Sequence, residues 1–103
     1  MDILAQINTF EWDEGNRNKN LFKHQVTQQE AEEVFFNKPH LLLEDEKHSE
    51  GERRFALLGK AGNGRKLAVV FTIRKDRLRI ISVRDMSKKE RRIYEKNEKN
   101  PSL

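Results

Sequence analysis

The stretch RKLAVVFTIRKDRLRIISVR, residues 65–84, holds two apolar runs joined across Lys75-Asp76, and its reading decides the fold. Both runs are rich in β-branched residues and too short for independent helices, while a two-residue polar break between such runs is the signature of a β-hairpin. Side chains alternate across a sheet. The first strand therefore sets Leu67, Val69, Phe71 and Ile73 on one face and Ala68, Val70, Thr72 and Arg74 on the other. In the second, Ile81 and Val83 suit the core, leaving Ile80, Ser82 and Arg84 opposite. A polar patch of Thr72, Arg74, Ser82 and Arg84 follows from that parity.

Working outward, RRFALLGK (53–60) precedes the turn Gly62-Asn63-Gly64, and HLLLE (40–44) is a further extended run, so residues 40–84 read as an antiparallel meander of about four strands. Before it, Thr27-Gln28-Gln29-Glu30 is a capping box: the Thr hydroxyl accepts from the Glu30 amide while the carboxylate reaches back to the Thr27 amide. Ala31, Val34 and Phe35 give that helix an apolar stripe, and Pro39 stops it. An earlier, more polar helix is expected from a cap at Asp13 to His24, and a short strand over Ile7–Trp12 with Asn8, Phe10 and Trp12 on one side. After the meander, Ser87-Lys88-Lys89-Glu90 repeats the capping-box pattern, and Ile93 and Tyr94 are expected to turn the closing helix onto the sheet. The expectation is thus an α+β domain with two N-terminal helices, a four-stranded antiparallel sheet and a C-terminal helix packed on it.

The 103 residues suit one domain, with residues 1–6 and 98–103 expected as loose ends. At 37% charged, 35% hydrophobic and mean hydropathy −0.93, the chain lies at the polar end of the globular range. No apolar run is long enough for a membrane span, and MDILAQINTF lacks the pattern of an export signal; a cytoplasmic location is expected. The lack of cysteine removes disulfides and thiolate chemistry. Charge is distributed unevenly: residues 1–50 carry 5 basic against 11 acidic side chains, residues 51–103 carry 16 against 6. That asymmetry fits a polyanion-binding face or a surface for an acidic partner; the plainer alternative is that folding interleaves the two halves.

RNA recognition needs cations for phosphates and planar groups for bases. Arg54, Arg74, Arg84, Arg91 and Arg92 offer the first, Trp12 and Tyr94 the second, although each has a plainer reading as a solvated or core residue. His24, His40 and His48 show no metal-binding spacing, so neither metal nor cofactor is expected, and acid–base use suits an imidazole better. Lys23 beside His24 should depress its pKa. Glu52 and Arg54 share strand parity, which places a carboxylate base beside a guanidinium; the plainer reading is a surface ion pair of little energetic value. GKAGNGRK lacks the Walker spacing, and nucleotide hydrolysis is not indicated.

Several motifs taken together carry a resemblance. F-E-W-D at 10–13, N-x-x-K-H-x-V at 20–26, Ala31, H-S-x-x-E-x-R at 48–54, G-R at 64–65, F-T at 71–72, R-I-I-S-V-R at 79–84 and E-R-R-x-Y at 90–94 resemble, in order and spacing, the BrnT family of type II toxin–antitoxin ribonucleases. Asn16 and Val83 depart from residues common in that family, a basic residue and an alanine. The resemblance implies a RelE/ParE-like fold and an endoribonuclease that slows translation. It also implies a BrnA-like ribbon-helix-helix antitoxin as partner in a hetero-oligomer, with DNA contacted only through that antitoxin. Carried onto this chain, the implied functional residues are Lys23, His24, His48, Glu52, Arg54, Arg84 and Tyr94, with Trp12, Thr72, Arg74 and Arg91 as further RNA-contacting candidates. In cleavage by 2′-hydroxyl attack, Glu52 or His24 would be base, Arg54 and Arg84 phosphate clamps, and His48 or His24 the acid. Competing readings are a same-fold toxin that binds DNA gyrase and a non-catalytic docking domain.

Overall fold

The computed structural model describes residues 9–12, 25–45 and 53–99. The expected helix from Asp13 to His24 lies outside them, as do Lys23, His48 and Glu52. The described elements are β1 (Thr9–Trp12), α1 (Gln28–Glu33), β2 (Leu41–Asp45), β3 (Arg54–Lys60), β4 (Lys66–Arg74), β5 (Arg77–Asp85) and α2 (Lys88–Lys99). The meander β2-β3-β4-β5 is antiparallel throughout, and β1 adds to it as a fifth strand, parallel to β5. The sheet is therefore mixed, because β1 lies along β5's outer edge in β5's own direction.

One face of the sheet carries the larger core. Phe55, Leu57, Leu67, Val69, Phe71, Leu78, Ile80 and Val83 meet Val26, Ala31 and Val34 there, and Phe10 and Trp12 close its edge. Edge-to-face rings run from Phe10 to Phe35 (5.3 Å) and from Phe35 to Phe71 (5.2 Å), joining β1 to β4 through the turn after α1. Such contacts add to burial because ring edges are electropositive and faces electronegative. Gly59 permits this packing, since a Cβ there would stand 2.9 Å from Val34 Cγ1 and 3.2 Å from His40 Cβ. The smaller core, on the second face, joins Leu58, Ala68, Met86 and Tyr94, with Leu41 and Leu43 at its margin.

The parity of β5 corrects the sequence reading. Val70 pairs with Ser82 but Phe71 pairs with Ile80, so Ile81 is an extra residue in the ladder, a β-bulge. The bulge reverses side-chain direction across it: Ile80 is fully buried while Ile81 is only half-buried. Simple alternation cannot anticipate one inserted residue.

Both capping boxes form. Thr27 Oγ1 accepts from Glu30 N at 3.1 Å while Glu30 Oε1 accepts from Thr27 N at 3.0 Å. Ser87 Oγ accepts from Glu90 N at 3.2 Å while Glu90 Oε1 accepts from Ser87 N at 2.9 Å. Tyr94 faces the sheet as expected, whereas Ile93 stands 39% exposed: adjacent helix positions lie about 100° apart, so only one can face the sheet fully. Glu98 pairs with Lys60, and α2 runs to Lys99. No helix among the described residues is long and apolar enough to cross a membrane.

Candidate active site

The second sheet face carries several of the candidate residues. Strand register aligns Glu11, Arg79, Thr72, Arg54 and Asp45 as successive partners across all five strands. Neighbouring strands lie about 4.8 Å apart, so Arg54 on β3 and Arg79 on β5 flank Thr72 with backbones about 10 Å from one another. Both arginines are half-buried. The α2 helix covers a different part of this face: Tyr94 packs with Leu58 and Ala68. Leu58 lies four residues beyond Arg54, about 13 Å along the strand. The row, with Glu11 opposite Arg79 and Asp45 opposite Arg54 at its ends, thus stands beyond the region that Tyr94 covers.

Thr72 is 2% exposed, and its hydroxyl donates to Arg53 O at 2.9 Å. It is a pin rather than a contact surface. The bond fixes the chain at the residue before Arg54, where the 46–52 segment carrying His48 and Glu52 enters β3. The β4–β5 hairpin extends the polar face, with Arg74 opposite Arg77 and both exposed. Arg77 and Arg79 escaped the sequence reading. Their signal was present in the alternation of β5 upstream of the bulge, but only the observed register puts Arg79 opposite Thr72.

Arg84 lies on the same face, opposite Ala68 and nearer α2. Its guanidinium donates to both Glu90 oxygens, at 2.7 and 3.0 Å, and to Asp85 O at 3.2 Å. The Glu90 hydrogen bonds and charge raise the Arg84 pKa against the opposing effect of burial. Reciprocally, the Arg84 hydrogen bonds hold Glu90 below the usual carboxylate range, with help from Ser87 and despite desolvation. Since Glu90 also caps α2, Arg84 ties the end of β5 to the start of that helix. A phosphate would have to displace a bidentate carboxylate to take this cation.

Tyr94 is fully buried, and its hydroxyl donates to Pro39 O at 2.9 Å, so its ring presents no base-stacking surface. Desolvation raises its pKa. Trp12 is half-buried on the opposite sheet face; its Nε1 donates to Glu32 Oε2 at 2.7 Å. Arg91 and Arg92 are exposed on α2. His40, the one histidine among the described residues, has Nδ1 3.1 Å from Val34 O. A carbonyl only accepts, so that nitrogen carries the proton and the ring is committed to the fold.

Arg65 organises the opposite end of the sheet. Its Nε and one terminal nitrogen donate to Asp85 at 2.7 and 3.0 Å, and the other donates to Gln25 O at 2.7 Å. Gln25 has a left-handed backbone, φ 55°, which a non-glycine residue adopts only when its surroundings hold it there. Arg65 thus fixes the residue that directly follows Lys23-His24. The sequence-predicted candidates therefore separate: Arg54, Thr72, Arg74 and Arg84 share one sheet face, Trp12 lies on the other, and Tyr94 lies beneath α2.

Comparison with known proteins gives a family and a similar solved fold. The family described as "Ribonuclease toxin, BrnT, of type II toxin-antitoxin system" matches residues 12–90. The Brucella abortus ribonuclease toxin, BrnT, solved at 1.1 Å, superposes with a TM-score of 0.55 at 22% sequence identity, covering 78% of this chain and 97% of that one. A comparison with curated protein sequences returns no match.

Proposed function

The chain belongs to the BrnT family of ribonuclease toxins of type II toxin–antitoxin systems, and from that premise we propose that it cleaves RNA on the second face of its sheet. The family implies an antitoxin partner. On our reading that partner is a BrnA-like ribbon-helix-helix protein, the fold is of the RelE/ParE type, and the unneutralised toxin inhibits translation in the cytoplasm.

The observation that carries the proposal is the placement of Arg54 and Arg79 on either side of Thr72, immediately after the segment bearing His48 and Glu52. In the proposed reaction the 2′-hydroxyl loses its proton to Glu52 and its oxygen attacks the adjacent phosphorus. The P–O5′ bond breaks, and His48 protonates the departing 5′-oxygen, leaving a 2′,3′-cyclic phosphate. Atoms balance without metal or cofactor. Arg54 and Arg79 stabilise the charge that accumulates on the non-bridging oxygens, whereas Lys23 and His24 directly precede Gln25, which Arg65 holds at the opposite end of the sheet, and take no part at this phosphate. In this scheme Arg84 is a positioning residue, because Glu90 already engages its guanidinium on two sides. Trp12, Thr72 and Tyr94 serve chiefly to hold the scaffold, while Arg74 and Arg91 contact RNA outside the reacting phosphate.

Induced expression in bacteria tests the cellular side. Wild type should arrest growth and translation, and Arg54→Ala, present at equal soluble level, should relieve both. Growth arrest undiminished in Arg54→Ala would remove this sheet face from the toxic mechanism.

A further inference from the structure

The β4–β5 hairpin tip breaks two local rules in one direction. Arg74 and Arg77 are Cα partners, whereas like charges directly opposite on a sheet are destabilising. Between them Lys75 has φ 57°, a left-handed backbone in a two-residue turn where glycine or asparagine is cheaper. All three side chains are exposed. The hairpin therefore accepts unfavourable turn chemistry while setting three cations around the single acid Asp76, and departures of this kind from local consistency occur preferentially at functional sites.

The tip also continues the row described above. Arg74 and Arg77 lie two residues along their strands from Thr72 and Arg79, about 7 Å away on the same face. We propose that Arg74, Lys75 and Arg77 form a phosphate clamp that grips the RNA backbone beyond the cleaved linkage, so that the strand runs from Arg54 over Arg79 to the hairpin tip. This rests on the reading of the chain as an RNA-cleaving toxin and adds the path of the substrate to it. A clamp of exposed cations with no aromatic ring among them grips phosphates and positions the strand without depending on its sequence.

The test separates binding from chemistry. A single-stranded 2′-O-methyl RNA lacks the nucleophilic hydroxyl and stays intact, so its affinity for wild type, Lys75→Gly and Lys75→Gly/Arg77→Ser can be followed by fluorescence anisotropy between about 50 and 200 mM salt. Removing one phosphate-neutralising cation should reduce the slope of log affinity against log salt by about 0.7, hence by about 0.7 in the single and about 1.4 in the double variant. Lys75→Gly should weaken binding while its Tm stays level or rises, since glycine adopts the turn conformation freely. A merely structural lysine would not yield that opposed pair of changes.

Unchanged slopes in both variants, or no salt-dependent binding by wild type, would overturn the clamp. So would unchanged RNA slopes accompanied by weakened antitoxin binding, which would give the tip to the antitoxin. Cleavage of ordinary RNA, assayed separately, reports on the catalytic reading: slopes that fall as expected without any cleavage would support the clamp and reject the nuclease.

Discussion

Arg84 and Tyr94 change meaning when their partners are seen. Both sit in motifs that the resemblance marks as functional, yet one is bound bidentately to Glu90 and the other is fully buried with its hydroxyl on Pro39 O. Replacing Tyr94 by Phe should lower unfolding free energy by about 1 kcal/mol, the usual value of one hydrogen bond, as measured in urea. Reduced RNA binding with unaltered stability would instead restore Tyr94 to the contact surface. Glu90 makes a pH-dependent prediction. Its folded pKa is depressed, chiefly by the Arg84 hydrogen bonds, so its stabilisation is complete above the ordinary carboxylate value of 4.5 and is lost as pH falls through the lower folded value. Glu90→Gln should therefore destabilise by about 1–2 kcal/mol at pH 7, with the gap from wild type narrowing below about pH 4. A gap that stays constant into acid would mean the carboxylate charge contributes nothing. These roles were not legible in sequence because an arginine's partner depends on which rotamer the fold permits, whereas the Ser87–Glu90 cap was legible because it is local.

Elements were read best where their signals were local. The two capping boxes, the GNG turn and the Lys75-Asp76 hairpin follow from residues within a few positions, and the antiparallel meander stands as expected. The bulge at Ile81 was invisible, since it is defined by a partner strand rather than by composition, and one extra residue reverses parity across it. The same holds for β1: its alternation was readable, its parallel pairing was not. Register makes a sharp prediction here. Ile80→Ala should cost about 2–5 kcal/mol because it empties a fully buried site, and Ile81→Ala well under half as much. Denaturant midpoints in the reverse order would contradict the bulge.

Across the whole molecule, the sequence's charge asymmetry resolves into two ends. At the 61–65 turn, folding does interleave the halves: Glu33 accepts from Gly62 N at 2.9 Å, Glu30 accepts from Asn63 Nδ2 at 3.1 Å, and Arg65 lies 3.8 Å from Glu30. At the other end Arg54 and Arg79 share a cross-strand row, and Arg74, Lys75 and Arg77 extend it at the hairpin tip. A sum over half a chain cannot reveal that division; it takes the sheet order to show which cations share a face. The central claim is that this face cleaves RNA by 2′-hydroxyl attack. Its most direct test is incubation of an end-labelled RNA with purified wild type, Glu52→Gln and Arg54→Ala in EDTA, with the product termini identified. The account predicts cleavage by wild type to 2′,3′-cyclic phosphate ends and a loss of about a hundredfold or more in each variant, as expected when charge stabilisation or proton transfer is removed. Cleavage that requires a divalent metal, or that proceeds at the wild-type rate in both variants, would contradict it.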